Sequence, residues 1–186
     1  MSHRVCPPWL GYWLVCPARR WWQNPTDVVG PYVHAGQMVL EPGPGMGYFT
    51  LELARLVGGT GRVIAVDIQR KMLERLRKRA ANAGLLERLD MRLASSESMG
   101  IAELGRTVDF TLAFAVVHEF PDQTRFFNEV AEVSRPPMAT LLLAEPKGHV
   151  KESLFASELE AACAAGFEVV GRPRIRGSHA AVLKLH

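Results

Sequence analysis

Three stretches of the chain bring reactive side chains or bare backbone together. The first is Glu41-Pro42-Gly43-Pro44-Gly45-Met46-Gly47, an acid followed by three alternating glycines. Such a turn admits positive φ angles and lets the backbone approach a ligand closely. Another acid, Asp67, stands 20 residues beyond the last of these glycines. The second stretch is His118-Glu119, and the third is Glu145-Pro146-Lys147-Gly148-His149. An imidazole beside a carboxylate makes a general base whose pKa lies near working pH. His118, Glu119 and His149 are therefore the candidate catalytic groups, with Glu145 and Lys147 as candidate substrate contacts. Each also has a plain structural use: His118 as a cap, Glu119 as an acceptor of backbone amides, Lys147 as a solvated loop charge. The same histidines and carboxylates suggest a metal set, but no closely spaced ligand pair lies on one helix, and no metal is expected.

These groups need a frame, and the hydrophobic pattern supplies one. Residues 38–41, 62–67, 89–93, 108–115 and 139–144 read as strands. The stretch 108–115 is nearly all apolar, as in a strand covered on both faces. Between them, Phe49, Leu53, Leu56 and Val57 fall at helical spacing. A helix over 70–83 buries Met72, Leu73, Leu76 and Ala80 and turns Arg70, Lys71, Arg75, Lys78 and Arg79 outwards. Pro121 opens a helix carrying Phe126, Phe127, Val130 and Val133. Ser157-Glu158-Leu159-Glu160 has the form of a capping box at a helix start. Strands 167–170 and 180–185 are joined too closely for a helix and should pair antiparallel. The expected fold is α/β: a Rossmann-like, doubly wound, seven-stranded sheet, mostly parallel with a C-terminal antiparallel hairpin. Ligands in such sheets sit outside the carboxyl ends of the strands, so function is sought after Glu41, Asp67, Leu93, Ala115 and Ala144.

Composition narrows the classes. With 186 residues, 48% hydrophobic and 22% charged, the chain fits one globular domain with a full core. Disorder, collagen-like repeats and a disulfide-stapled miniprotein are excluded. Three scattered cysteines, Cys6, Cys16 and Cys163, suggest a reducing cytoplasm. The net charge of +3 permits a nucleic-acid partner without arguing for one. All four tryptophans fall in the first 22 residues. The apolar run over 5–18 is too short to span a membrane and is broken by Pro7, Pro8, Gly11 and Pro17. Residues 1–36 are expected to form an aromatic-rich cap segment and 37–186 the core.

The glycine turn departs from the dinucleotide fingerprint Gly-x-Gly-x-x-Gly. Gly43 and Gly45 fit, but Tyr48 stands where the third glycine must let helix and strand pack, which argues against a nicotinamide enzyme. The stretch 39–47 (VLEPGPGMG) instead resembles the first motif of class I S-adenosylmethionine-dependent methyltransferases. The strand ending at Asp67 resembles their second motif. The phrase 109–120 (DFTLAFAVVHEF) resembles the fourth-strand motif of their small ubiquinone-biosynthesis-like and type 11 members, and 165–170 (AGFEVV) their late helix-to-strand junction.

That resemblance implies S-adenosylmethionine as cofactor. Glu41 would lie near its methionine amino end, the 43–47 backbone, including Pro44, would pack against it, and Phe114 would line the same pocket. Asp67 would accept both ribose hydroxyl protons, and Ile68 would cover the adenine. Where the family often carries Gly-Asp-Ala, this chain has 94–97 (ASSE), so Ser95, Ser96 or nearby backbone must meet the adenine amine. Trp21, Trp22 and Tyr32 would contact the acceptor, with Asn24 nearby. The expected reaction is in-line methyl transfer to a small molecule. Alternatives are a non-catalytic cofactor-binding or scaffold protein, or transfer to nucleic acid. A metalloid held by the three thiols is a further alternative, though Cys163 lies in an alanine-rich helical stretch that suggests simple packing.

Overall fold

The computed structural model describes residues 23–185. Its strands are β1 (Met38–Pro42), β2 (Arg62–Asp67), β3 (Leu89–Leu93), β4 (Phe110–Phe114), β5 (Thr140–Pro146), β6 (Phe167–Gly171) and β7 (Ser178–Leu185). Its helices are α1 (Pro25–Val29), α2 (Thr50–Leu56), α3 (Arg70–Asn82), α4 (Gln123–Val133) and α5 (Glu152–Ala164). The seven strands follow the order β3-β2-β1-β4-β5-β7-β6, the doubly wound arrangement expected from the pattern. β1–β2–β3 and β4–β5 pair in parallel, whereas β7 runs antiparallel to both β5 and β6. No helix among the described residues is long and apolar enough to cross a membrane. The described residues cluster in two compact units, 23–100 and 101–185.

In the first unit β1 and β2 are buried on both faces: Val39, Leu40, Val63, Ile64 and Ala65 are wholly inaccessible. α3 covers them with Met72, Leu76 and Ala80, one residue per turn along a single stripe. The outward basic face expected of this helix is only partly realised. Arg79 donates to the Met46 carbonyl, and Arg75 lies 3.6 Å from the Met46 sulfur, so two of its arginines turn back onto the glycine turn. A guanidinium on a flexible stem can reach across a neighbouring element while its alkyl part covers apolar surface. α1 is capped by Asn24, whose side chain accepts from Thr26 N at 3.3 Å. The Asn24 Oδ1 is therefore engaged in the helix cap. Thr26 donates to Glu52 at 2.8 Å and ties α1 to α2. Trp21 and Trp22 lie outside the described residues, as do Cys6 and Cys16.

In the second unit three expectations change. β5 continues through Glu145 to Pro146 because β7 pairs along it as far as Ser178, which takes Glu145 out of a loop and into the sheet. α5 begins at Glu152 with Lys151 as its N-cap, so residues 157–160 lie in mid-helix and form no capping box. Its buried face is Phe155, Glu158, Leu159 and Ala162, at the i, i+3, i+4, i+7 spacing of a core stripe. Glu158 holds an apolar position on that stripe. Cys163 is exposed, not packed.

Candidate functional site

The turn after β1 is held by two backbone hydrogen bonds, from Gly43 N to Val66 O at 2.8 Å and from Gly47 N to Pro44 O at 2.9 Å. Gly43, Gly45 and Gly47 all adopt positive φ, at 65°, 54° and 83°. Gly45 and Gly47 need glycine for different reasons. A methyl group on Gly47 would meet the Leu76 side chain at 2.4 Å, so this position lets α3 press onto the turn. One on Gly45 would meet nothing within 4 Å among the described residues. Gly47→Ala is expected to cost about 2–3 kcal/mol, from left-handed strain plus overpacking. Gly45→Ala should cost only about 1 kcal/mol, from strain alone. Urea unfolding of the two variants checks this, and equal losses would remove the packing argument.

Beside this turn stand two buried acids. Asp67 is 8% exposed and accepts from Gln69 N at 2.8 Å. Burial pushes its pKa up to about 6, against the pull of the Gln69 and Gly45 amides. Glu41 is 4% exposed and is pushed up to about 8. Its burial dominates, the neighbouring Thr50 hydroxyl offsets part of it, and Asp67 adds to it. Glu41 Oε2 and Thr50 Oγ1 nevertheless have no hydrogen-bond partner among the described residues. A buried acceptor left without a donor costs roughly 1–3 kcal/mol, so a donor supplied by a ligand gains accordingly.

At the carboxyl ends of β2 and β3, Ile68 and Leu93 are large apolar side chains left 47% and 46% exposed. Leu93 pairs in register with Asp67. In the next turn, the Ser95 hydroxyl accepts from the amides of Glu97 and Ser98 at 3.1 and 3.0 Å, which commits it to its own loop. Ser96 is exposed. Pro44 is buried within the glycine turn, and Tyr32 is half-buried after α1. A carboxylate for a diol, an orphan acceptor for a cation, two apolar walls and open space at Gly45 together fit an adenosine-bearing, cationic cofactor.

The second unit holds a different cluster. β4 ends at Phe114, half-buried, and Ala115 then takes φ 55°, a left-handed conformation that costs a non-glycine residue about 1 kcal/mol. This turn leads into a short 3-10 helix, Val117–Glu119. Glu145 Oε1 accepts from Val117 N at 2.7 Å and from the amides of Val116 and His118 at 3.3 Å each. Its Oε2 lies 2.6 Å from His118 Nδ1. The imidazole is thus oriented by its Nδ1, and Nε2 carries the lone pair when the ring is neutral. Burial pulls the His118 pKa down, but the Glu145 hydrogen bond and charge, with Glu119 and Glu158 behind them, leave it raised above 6.5.

Glu145, expected to touch substrate, is instead wholly buried and holds His118. The partner of His118 is this residue, 27 positions on, rather than its neighbour Glu119. His149 is exposed on the turn after β5, where its N–H bonds to Pro146 O at 3.0 Å. It is not brought to the His118–Glu145 pair. Lys147 is exposed nearby.

The residue that the pattern concealed is Glu158. It is inaccessible, accepts from Gln123 Nε2 at 3.3 Å, and leaves Oε2 without a partner among the described residues. Burial, then Glu145, push its pKa up to about 8, partly offset by His118. Because that value lies above the ordinary 4.5, the folded state keeps a proton that the unfolded chain releases. Stability is therefore full below about pH 4.5 and lost as pH rises towards 8. Glu158→Gln should match the parent at pH 5 and exceed it at pH 8 by about 2 kcal/mol or more. Denaturant midpoints at both pH values test this.

Comparison with known proteins accords with this geometry. Residues 39–137, more than half of the chain, match the family model described as a methyltransferase domain. The ubiquinone/menaquinone biosynthesis C-methyltransferase of Klebsiella pneumoniae is 31% identical over 126 residues, 67% of this chain and 48% of that protein. The chain thus spans about half the length of the curated relatives it matches. A SAM-dependent methyltransferase from Aquifex aeolicus superposes with TM-score 0.83 at 22% identity, covering 97% of this chain and 98% of that one. A methyltransferase solved with the Haloferax volcanii Trm112 activator superposes at 0.76 with 17% identity, covering 96% and 94%. The motif pair, the strand order and the matched model agree: the chain belongs to the methyltransferase domain family and has the fold of the S-adenosylmethionine-dependent methyltransferases.

Proposed function

We propose that this protein binds S-adenosylmethionine and transfers its methyl group to a small molecule whose attacking atom carries a proton. The observation that carries this reading is the pair of buried acids, Glu41 and Asp67, beside a glycine turn that is open at Gly45. When bound, the cofactor supplies a methyl group already activated on a sulfonium sulfur, so holding the acceptor in line accounts for much of the rate.

The chain's own groups divide the work. Asp67 accepts the two ribose hydroxyls, and Ile68 and Leu93 cover the adenine. Ser96 or neighbouring backbone meets the adenine amine. The 43–47 backbone lets the cofactor approach, and Glu41 accepts from its ammonium end. His118 removes the acceptor's proton through Nε2, and Glu145 steadies the imidazolium that results. Residues 1–36 act as an aromatic cap, with Trp21, Trp22 and Tyr32 contributing to acceptor choice. The scattered cysteines suit a cytoplasmic location.

Calorimetric titration at pH 7, in two buffers of different ionisation enthalpy, tests the reading. Glu41, protonated in the free protein with a pKa of about 8, should ionise against the ammonium group. Binding should therefore release a proton, and Glu41→Gln should abolish that release. Absence of heat with either S-adenosylmethionine or its demethylated product at roughly 100 μM would sink the proposal. Labelled methyl groups should then appear in low-mass products of a metabolite extract. Tight binding without any transfer would favour the scaffold alternative.

A further inference from the structure

The three arginines near the C-terminus are not absorbed by any role above. In the second unit they line a groove of about 790 Å³ together with Lys147, His179 and Phe155. We propose that this groove seats an anionic group, a phosphate or an equivalent dianion, carried by the small-molecule methyl acceptor. The assignment to the acceptor rests on the methyltransferase reading; the anion site itself does not.

The local sequence builds the groove. In the connection from β6 to β7, Arg172, Arg174 and Arg176 are exposed while Pro173 is half-buried and Ile175 is buried. The alternation anchors the loop by its apolar residues and turns the guanidinium groups out. Lys147 N donates to Gly177 O at 2.9 Å, which pins the turn after β5 to this loop. Ser178 N to Ile175 O at 3.1 Å closes it. Among the described residues, four cations thus line one concavity with a single acid, Glu152. Lys147, Arg172 and Arg174 make no side-chain hydrogen bond or ion pair to the described residues, whereas Arg176 is engaged.

Unneutralised like charges in one cleft repel each other and focus a positive potential, which a dianion relieves through charge-assisted bonds. The cations line a cavity within the roughly 300–1,000 Å³ range of small-ligand sites. A nucleic-acid backbone binds a basic patch or stripe running over a surface, whereas here the cations share one concavity of small-ligand size. The groove also adjoins the chemistry. His179, stacked on Phe155 at 5.4 Å, pairs in register with Glu145, the carboxylate that holds His118. Directly opposed residues of an antiparallel pair share a sheet face. An acceptor anchored here by its anion lies along the strand pair that carries Glu145, the carboxylate that orients the base.

The test is calorimetry on the full chain with pyrophosphate as probe, at low salt and with the demethylated cofactor present. The parent should bind pyrophosphate. Arg172→Gln/Arg174→Gln should bind at least roughly tenfold more weakly, the loss of one charge-assisted bond or more. Lys71→Gln/Lys78→Gln, on exposed positions of α3, should bind as the parent does. Cofactor binding and the thermal midpoint, unchanged in both variants, would show the fold intact. No binding by the parent, equal binding by the arginine variant, or an equal loss in the α3 variant would overturn the site. Tighter binding of a short single-stranded RNA through the same two arginines would overturn it in favour of a nucleic-acid face. Pyrophosphate binding by a parent chain that does not bind S-adenosylmethionine would leave the anion site standing and remove its assignment to a methyl acceptor.

Discussion

Asp67→Ala is expected to abolish measurable S-adenosylmethionine binding while leaving the fold in place. The carboxylate would make two charge-assisted bonds to the ribose hydroxyls, each worth about 1.5–3 kcal/mol, so their joint loss weakens binding by roughly 10²–10⁴-fold. Asp67→Asn keeps one acceptor oxygen and should fall between the two. The fold should tolerate the change because the side chain is costly to bury: a pKa of about 6 marks a carboxylate whose charged form is disfavoured in place. That value also fixes the pH dependence. The diol binds to the ionised form, so the Asp67 contribution to affinity is complete above pH 6 and is lost as pH falls through it, beneath the further rise towards pH 8 that ionisation of Glu41 adds. Asp67→Asn, which binds measurably and does not titrate, should lack this limb. Titration calorimetry between pH 5 and 8, with thermal melts alongside, measures both effects. Unchanged affinity in the alanine variant would end the ribose assignment.

His118→Ala should lower turnover by roughly 10²–10⁴-fold, the range for loss of a positioned general base, with cofactor affinity unaltered. Only the neutral imidazole accepts a proton, and Glu145 holds the ring's pKa above 6.5. The parent's rate should therefore climb with pH through a midpoint above that value. Glu145→Gln removes the anionic partner, while its amide oxygen still accepts from the Val117 amide. The midpoint should then move to lower pH while the maximal rate falls less than in His118→Ala. That shift separates a positioning role from simple collapse of the site, which would lower the rate at every pH alike. A rate unchanged in His118→Ala would mean an acceptor that needs no base, such as a thiolate.

Both predictions rest on residues whose legibility in the sequence differed. Asp67 could be read directly, because its place depends on local order: an apolar run ends in an acid 20 residues after the last turn glycine. His118 was equally visible, but its partner was not. Glu119 is adjacent in the chain, whereas Glu145 reaches His118 only because β5 extends by two residues along β7. Strand length there is set by a partner distant in sequence, and no local propensity encodes it. Glu158 was misread for a related reason. Periodicity treats an acid as a surface or cap residue, yet the packing of α5 draws it inside beside His118 and Glu145.

Sequence alone determined the order and type of the strands and helices from β1 onwards, the doubly wound sheet with its antiparallel end, the glycine turn and the acid that ends β2. These follow from hydrophobic period, glycine placement and spacing within one βαβ unit, all of them short-range. Only the tertiary structure decided which carboxylate orients the histidine, that Arg79 clamps the glycine turn, and that three arginines on one loop share a groove with Lys147. Each of these depends on side chains meeting across elements separated by dozens of residues, where chain order carries no distance.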